Sequence, residues 1–470
     1  MNRYRCQRRR KSSEGEGEDA INNLPEDLLC HILSFLPTRE AALTSVLSKR
    51  WRDLFTLLPR LDFDDSIFMP CLSPEECPRT SFREFVSRVL ALKSNSPIIK
   101  FSLICHEGVD KDLVEDWTSK ALRRGATDLT LILLLSSQKY SLPSSIFRNS
   151  HNLIKLKLGC GRLGILFQRG FIFTNLRTLH LNSIEFNPNY GSIDRLLSKC
   201  PMLEELIVNC INWHRWSSAS VSSPTLKRLT IDDYGSANPR DVSFDTPNLI
   251  YLNYSDIVAC NYPLVKLDSL VEARLDVGSN TSQMHARDSD EFQVRWDATN
   301  LIMGIQNVKI LHLTSATIEV IEDFCKTVPV FHNLNHLSIE SDDERGWQAL
   351  PLLLTNCPNL QTLLFHGLHH RVTDGCGDAC DCISSPPPPS PSCLSSCPVK
   401  ILKILDFGAT CGEMSLVEHF LKKLPLLEKV IIVLQCESFI EEGCDRIKVS
   451  KALEMSPRAS SNCKLKVVNH

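Results

Sequence analysis

The sequence predicts a mixed α/β protein in which a small N-terminal helical module is followed by a long solenoid of repeats. Residues 21–58 are rich in leucine and place apolar side chains at helical spacing. Behind them, one short apolar pattern recurs at near-regular intervals along most of the rest of the 470 residues. Stretches with helical periodicity lie between its copies, as expected for stacked strand–helix units.

The recurring pattern is L-x-x-L-x-L or an apolar equivalent of it. The copies that begin at Leu153, Leu176, Leu203, Leu226 and Leu249 are 23, 27, 23 and 23 residues apart. Later copies begin at Leu270, Val308, Leu334, Leu360, Leu402 and Leu427, and degenerate earlier ones at Ile98 and Ala126. A period of about 20–29 residues with this leucine spacing is typical of leucine-rich repeats.

Each copy predicts one strand, because its second half alternates apolar and polar residues. Segments 193–200, 347–357 and 416–424 predict helices between the strands. The predicted solenoid therefore has a curved parallel sheet inside and helices outside, and such solenoids bind proteins or peptides on their concave surface. The candidate residues on that surface are Arg177, His180, Glu205, Lys227, Arg228 and His336.

The N-terminal module predicts three short helices. Pro25 stands where the first helix begins, because a proline loses no hydrogen bond in the first turn. Thr38 is predicted to cap the second helix and Ser48 the third. Three helices in about 40 residues bury little surface alone. A segment this rich in leucine therefore predicts a partner, or docking onto the rest of the chain.

The motifs of this module resemble a plant-type F-box. They are INNLPEDLLCHILSFLPTREAA from Ile21 and TSVLSKRWRDL from Thr44. The resemblance implies binding to a Skp-type adaptor and, through it, to the cullin of an SCF (Skp–cullin–F-box) ubiquitin ligase. The adaptor-binding residues that it implies are Leu24, Pro25, Leu28, Ile32, Leu33, Leu36, Pro37, Val46, Leu47, Ser48 and Trp51. The alternative for Leu43, Leu47 and Leu54 is that they hold the three helices together.

The C-terminal third resembles the plant FBD domain. The matching segments are FHNLNHL from Phe331, WQALPLLL from Trp347, CPNLQTL from Cys357, VKILKILDF from Val399, residues 421–432, and MSPRASS from Met455. Their order is similar to that of plant F-box/leucine-rich-repeat/FBD proteins over nearly the whole chain. The predicted organisation is a charged tail at 1–19, the F-box at 20–60, a linker or first helical segment at 61–95, repeats at 96–330, and an FBD-like region at 331–470 that continues the repeats.

The sequence departs from that family pattern at residues 371–398, which form a Cys- and Pro-rich insertion. The candidate metal ligands there are Cys376, Cys380, Cys382, Cys393 and Cys397, with His366, His369 and His370 nearby. One hypothesis is a zinc clip, because zinc takes four Cys or His ligands that commonly come in closely spaced pairs. The preferred interpretation is a flexible loop with reduced thiols around a proline-rich stretch. We therefore expect no cofactor and no metal.

Composition disfavours several functions. A net charge of -3 gives no electrostatic reason to expect nucleic-acid or membrane binding. No apolar run approaches the roughly 20 residues that span a bilayer. The basic start at residues 3–11 predicts a solvated tail, with a nuclear-import patch as the alternative. Because no secretory signal is recognisable, the 20 cysteines are predicted to be reduced thiols in a cytoplasmic and/or nuclear protein.

The sequence contains no P-loop, G-x-S-x-G or H-E-x-x-H motif, so a non-catalytic protein is predicted. The resemblance implies the substrate-recognition subunit of an SCF ligase, whose F-box binds the adaptor and whose repeats bind a target protein for ubiquitination. The alternative is a leucine-rich-repeat scaffold that binds proteins outside any ligase. A zinc-stabilised nucleic-acid binder is a third hypothesis, which the weakly acidic balance disfavours.

Overall fold

The computed structural model describes residues 21, 24–68, 79–93, 96–106, 109–133, 143–148, 150–159, 172–183, 193–210, 218–233, 241–281, 283–284, 296–380, 392–435 and 446–469. All structural statements below concern this part of the chain. The predicted charged tail at residues 1–19 lies outside it, and so does Cys382.

The N-terminal module contains the three predicted helices. They are α1 (Glu26–Leu33), α2 (Thr38–Leu43) and α3 (Lys49–Leu57), with a 3₁₀ turn at Thr44–Val46. Ser48 caps α3, as predicted, and its hydroxyl accepts a hydrogen bond from the Trp51 amide at 3.4 Å. The prediction for Thr38 is wrong. Pro37 holds the cap position of α2, and Thr38 is the first helical residue.

The chain continues into eighteen strands within the described residues. In chain order they are β1 (Arg60–Asp64), β2 (Lys100–Cys105), β3 (Asp128–Leu133), β4 (Lys155–Gly159), β5 (Thr178–Asn182), β6 (Glu205–Asn209), β7 (Ser218–Ser222), β8 (Arg228–Asp232), β9 (Asp241–Asp245), β10 (Tyr251–Ile257), β11 (Val265–Lys266), β12 (Glu272–Gly278), β13 (Ile310–Leu313), β14 (His336–Glu340), β15 (Thr362–His366), β16 (Ile401–Phe407), β17 (Lys429–Leu434) and β18 (Lys464–Asn469). All but β7, β9 and β11 form one parallel sheet, whose strand order follows the chain. This arrangement confirms the predicted solenoid.

The register of the main sheet aligns the predicted repeats with one another. Leu156 of β4 lies beside Leu179 of β5, and Leu179 lies beside Leu206 of β6. The same row of buried apolar side chains continues through Leu252 and Leu363 to the C-terminal strands. Each buried leucine contributes roughly 1.5–3 kcal/mol, so the row is a continuous source of stability along the array. The degenerate copies at Ile98 and Ala126 are confirmed as β2 and β3.

Helices cover the other side of the buried rows over much of the array. They are α4 (Arg79–Leu92), α5 (Lys111–Arg123), α6 (Ser144–Arg148), α7 (Ile193–Leu197), α8 (Thr299–Gly304), α9 (Ser315–Phe324), α10 (Leu350–Thr355), α11 (Cys411–Lys423) and α12 (Arg446–Glu454). The helices predicted within 193–200, 347–357 and 416–424 are present as α7, α10 and α11.

The outer layer is not helical throughout, which corrects the prediction for the middle repeats. Strands β7, β9 and β11 form a second parallel sheet there. These segments form strands because their apolar residues recur at every second position. Ala219 and Val221 are buried in β7, as are Val242 and Phe244 in β9, and polar or small residues stand between them. Such alternation buries one face of a strand and cannot produce the apolar stripe of a helix.

Two sets of hydrogen bonds join the F-box module to the first repeat. The Thr38 hydroxyl donates to Asp62 Oδ1 at 3.0 Å and accepts a hydrogen bond from the Asp62 amide at 2.7 Å. The fully buried Lys93, which follows α4, donates to the carbonyls of Phe55 and Thr56 at 2.9 and 2.8 Å. The bonds from Lys93 supply partners to carbonyls in the last turn of α3, where the helix satisfies few of them itself; the Phe55 carbonyl also accepts a hydrogen bond from the Leu58 amide at 3.3 Å. The module is therefore fixed against the solenoid.

A buried carboxyl in the middle repeats makes stability depend on pH. Burial raises the pKa of Asp256 to about 8, and buried Asp233 lies in its field. The carboxyl accepts a hydrogen bond from the Ile257 amide at 2.7 Å. Between about pH 4 and pH 8 the folded state holds this proton and the unfolded state does not. The contribution of this group to stability therefore falls as pH rises through that window.

We expect Asp256→Asn to stabilise the protein by about 2 kcal/mol at pH 8 and by much less at pH 5, because a neutral amide needs no desolvated charge. Asparagine keeps an oxygen that accepts from the Ile257 amide. Urea unfolding midpoints at the two pH values measure the difference. The exposed change Asp343→Asn is the control. An Asp256→Asn effect of equal size at both pH values would contradict this account.

Candidate adaptor and target interfaces

The F-box module leaves eight large apolar side chains exposed, among them Ile21 and Leu57. We call the other six the apolar face: Leu28, Ile32, Phe35, Leu43, Val46 and Leu47. The first three follow a spacing of four and three residues, so they lie along one side of α1 and its C-terminal extension. The other three occupy the end of α2, the 3₁₀ turn and the residue that follows the turn. Val46 is 82% exposed and Phe35 is 74% exposed, although both are large and apolar.

The opposite side of the module is a packed core. Leu29 and Leu33 of α1 are fully buried, and Trp51, Leu54 and Phe55 of α3 are buried with them. The module thus uses one apolar stripe of α1 for its own stability and leaves a second stripe exposed. Exposed apolar surface of this kind marks an interaction site.

The implied adaptor-binding residues divide into three groups by exposure. The exposed ones are Pro25, Leu28, Ile32, Pro37, Val46, Leu47 and Ser48. Leu24 and Leu36 are half-buried, and both pack on the core. Leu33 and Trp51 are buried in the core, so they support the apolar face from beneath and do not present their side chains to a partner.

The alternative that some of these residues hold the helices together is correct for Leu54 and wrong for Leu43 and Leu47, which are exposed. Sequence reasoning also missed Phe35 as a surface residue. Its position seven residues after Leu28 was the available signal, because that spacing returns to the same side of a helix.

The second candidate interface is the open face of the main sheet, where the side chains between the buried rows point to solvent. At one end of the open face, the predicted cations Arg177, Lys227 and Arg228 are paired with carboxylates of the same chain. Glu204 binds Arg177 Nη1 at 2.5 Å and Lys227 Nζ at 3.0 Å. Arg228 lies 3.5 Å from a Glu205 oxygen and 4.0 Å from the centre of the Tyr251 ring. Because exposed pairs of this kind are worth little, they organise the surface more than they stabilise it.

Three histidines of the open face, His180, His312 and His336, are poor cations. Burial lowers the pKa of His180 and of His336, and burial together with Arg274 lowers the pKa of His312 to about 4. The rings of His312 and His336 lie 5.8 Å apart. At neutral pH these side chains are therefore neutral hydrogen-bonding groups.

A cavity of about 660 Å³ opens on this face at the carboxyl ends of the middle and later strands. Its lining is polar and carries more carboxylates than cations: Asp232, Asp276, Glu340 and Asp406, with Arg274, His312 and His366. Asp276 is held in place by the hydroxyls of Ser255 and Thr314, which donate to it at 3.0 and 2.8 Å. A pocket of this size holds a few side chains of a bound segment.

The candidate metal ligands are not all in one place. His370, Cys376 and Cys380 come together, with one ligand atom from each within 4.8 Å of the others. Cys393 is not part of this group, although its amide donates to Asp378 Oδ1 at 3.0 Å. His369 lies 3.6 Å from Glu413. Of the remaining candidates, His366 lines the open-face cavity and Cys397 is buried.

An F-box fixed to a parallel leucine-rich-repeat array defines an F-box protein with leucine-rich repeats. The F-box family profile matches residues 21–63, and a profile described as "FBD-associated F-box protein At5g56370, LRR repeats" matches residues 114–261. None of the helices in the described part of the chain is both long and apolar enough to cross a membrane.

Three relatives from Arabidopsis thaliana match nearly the whole chain. F-box/LRR-repeat protein At3g59210 is 46% identical over 469 residues, which cover 96% of this chain and 95% of that protein. F-box/LRR-repeat protein At4g14096 is 44% identical, with 96% and 95% covered. Putative F-box/FBD/LRR-repeat protein At3g59240 is 42% identical, with 96% and 90% covered. The chain belongs to this family of F-box/LRR-repeat proteins, as its motifs predicted.

Proposed function

We propose that this protein is the substrate-recognition subunit of an SCF-type ubiquitin ligase. The observation that carries the proposal is the apolar face of the F-box, which stays exposed although the module has a complete core of its own. Four or five leucine-sized side chains, each worth roughly 1.5–3 kcal/mol on burial, offset the cost of association. The partner is a Skp-type adaptor and, through it, the cullin.

We propose that the adaptor contacts all six residues of the apolar face, together with Pro25, Pro37 and Ser48. Leu24, Leu33, Leu36 and Trp51 support them by fixing the helices. The Skp-type adaptor would cover Val46 and Leu47, which otherwise cost free energy in water. Every residue that the motif implies has one of these two roles. The exposed residues contact the adaptor, and the buried or half-buried ones hold the helices in place.

The protein needs no catalytic group for this role, and we propose that it is non-catalytic. A receptor accelerates ubiquitin transfer by holding the target near the enzyme that carries ubiquitin, which raises the effective concentration of the target. The Thr38–Asp62 and Lys93 contacts support this role, since they fix the distance between the two binding surfaces. We propose a cytoplasmic and/or nuclear location.

We propose that the target protein binds the open face, with the cavity as its anchoring pocket. The exposed carboxylates of Glu340 and Asp406 favour a target segment that carries a basic side chain. His312 is neutral, and Arg274 is paired with Glu272 at 3.1 Å, so neither opposes such a segment. The alternative function, a protein-binding scaffold outside any ligase, uses the same open face and leaves the apolar face without an adaptor.

The experiment expresses three forms of the full chain in plant cells and measures ubiquitinated peptides by quantitative proteomics. They are the wild type, an F-box variant with Leu28→Asp and Val46→Asp, and a cavity variant with Glu340→Arg and Asp406→Asn. We expect a set of proteins whose ubiquitination rises with the wild type and with neither variant. The cavity variant should still co-purify with the adaptor. If the F-box variant raised the same set as the wild type, the scaffold function would be favoured.

A further inference from the structure

We propose that His370, Cys376 and Cys380 form a binding site for a thiophilic transition-metal ion, Zn²⁺, which fixes the start of the 371–398 insertion against the solenoid. One ligand atom from each residue lies within 4.8 Å of the other two. Both cysteines are buried, and His370 is half-buried. The inference does not depend on the proposed function.

The geometry is close to what zinc requires. Zinc binds sulfur at about 2.3 Å and nitrogen at about 2.0–2.1 Å, so ligand atoms at tetrahedral angles are about 3.5–3.8 Å apart. Side-chain rotations that move these atoms by about 1 Å are enough to close the site from the observed spacing. Three protein ligands leave the fourth position for a water molecule.

The histidine is oriented as a metal ligand would be. Its Nδ1 lies 3.1 Å from the backbone carbonyl of Leu368, which accepts a hydrogen bond from Nδ1–H. The Nε2 nitrogen then carries the lone pair that a metal needs. Bonding of the second ring nitrogen to a carbonyl is the usual arrangement around metal-bound histidine. The His370 ring also stacks on the buried Trp347 ring, with centres 3.9 Å apart, which fixes its plane.

The Cys376 sulfur has a polar neighbour that suits a ligand. The Thr373 hydroxyl lies 3.4 Å from it, within hydrogen-bonding distance. A thiolate is the form that binds zinc, and a hydroxyl can donate a hydrogen bond to it.

The backbone brings the two cysteines together through a reversal at Gly377. This residue has φ +56°, and an added Cβ would lie 3.2 Å from Pro351 Cγ on α10. Glycine therefore serves both the turn and the close approach to the helix. The ion would close a small loop from Cys376 to Cys380 and join it to His370. Such a clip restrains the chain at the point where the insertion leaves the repeat.

To test this, the full chain is purified under reducing conditions and its metal is removed with a chelator. Zn²⁺ alone is then added, and bound metal is measured by plasma mass spectrometry. We expect about one zinc per chain that is lost, to less than a tenth, in Cys376→Ser, Cys380→Ser and His370→Ala. The exposed cysteines provide matched controls, since Cys411→Ser and Cys210→Ser should keep the metal.

A second measurement does not depend on variant folding. Co²⁺ added to the wild-type protein should give a thiolate-to-cobalt absorption band and the intense visible bands of a tetrahedral site, and Zn²⁺ should displace them. Absence of these bands, or zinc content equal in the wild type and the three variants, would overturn the proposal. So would a Cys376–Cys380 disulfide in protein whose thiols are alkylated directly from reducing conditions.

Discussion

Replacing Leu28 and Val46 by aspartate is expected to weaken binding to a Skp-type adaptor by about 1,000-fold or more, because each is an apolar anchor worth about 2 kcal/mol at a desolvated interface. Both side chains are exposed in the free protein, at 49% and 82%. The changes therefore place charge on the surface and leave the core intact. Titration calorimetry with the purified adaptor measures the affinity.

Two comparisons separate loss of contact from loss of fold. Leu426→Asp changes a similarly exposed leucine that lies in the turn before β17, far along the chain from the F-box, and should leave adaptor binding unchanged. Leu33→Ala removes a fully buried side chain and should cost about 2–5 kcal/mol of stability in the module. Wild-type affinity in the Leu28→Asp/Val46→Asp protein would show that the adaptor binds elsewhere.

Trp347→Ala is expected to lower stability by about 3–5 kcal/mol, which is the usual cost of truncating a buried aromatic residue. The Trp347 ring is fully buried between the rings of Phe365 and His370, with centres 5.1 and 3.9 Å away. Phe365 in turn stacks on Phe420 of α11 at 5.4 Å. One substitution thus removes an inner member of an aromatic stack that joins the segment before α10 to β15 and α11.

Because each repeat contacts mainly its neighbours, the damage should be local. Hydrogen exchange should rise in β14, β15 and α11 and stay unchanged in β2 and β3. Trp347→Phe keeps an aromatic ring and should lose less than half as much stability. Exchange that rises equally along the whole array would contradict the local account, and so would unchanged exchange at β15.

The fold was largely predictable, because the determining signals are local and repeated. The near-regular spacing of Leu156, Leu179 and Leu206 indicates the repeat. When the strands stack in parallel, only one register buries all three side chains. The F-box was recognisable for a similar reason. Its motif is a continuous segment, and the cap of α3 at Ser48 was predicted correctly, although that of α2 was not.

The features that were not predicted depend on spatial neighbours, which cannot be read from the sequence. Strand β1 directly follows the F-box, and Leu61 is seen as a repeat residue only because it pairs beside Phe101. The outer strands β7 and β9 are short, so their alternation is weak evidence before the sheet is known. Within the F-box, the helical pattern gave the apolar residues, and only packing separates buried Leu33 from exposed Val46.

The candidate metal ligands of the 371–398 insertion also could not be chosen from the sequence alone. Spacing alone offered two C-x₃-C pairs and three histidines as equal candidates. The reversal at Gly377 and the Trp347 stack select His370, Cys376 and Cys380 from that set. Both features are three-dimensional, since they bring side chains from separate turns of the chain to one point.

The most direct measurement of the central claim is the molar mass of the full chain mixed with purified Skp-type adaptor and cullin, determined by light scattering during size-exclusion chromatography. A receptor subunit should elute with both partners as a single complex of one copy each. The Leu28→Asp/Val46→Asp protein should elute alone, at the mass of its 470 residues. Elution of the wild-type chain alone, with adaptor and cullin in a separate peak, would contradict the account.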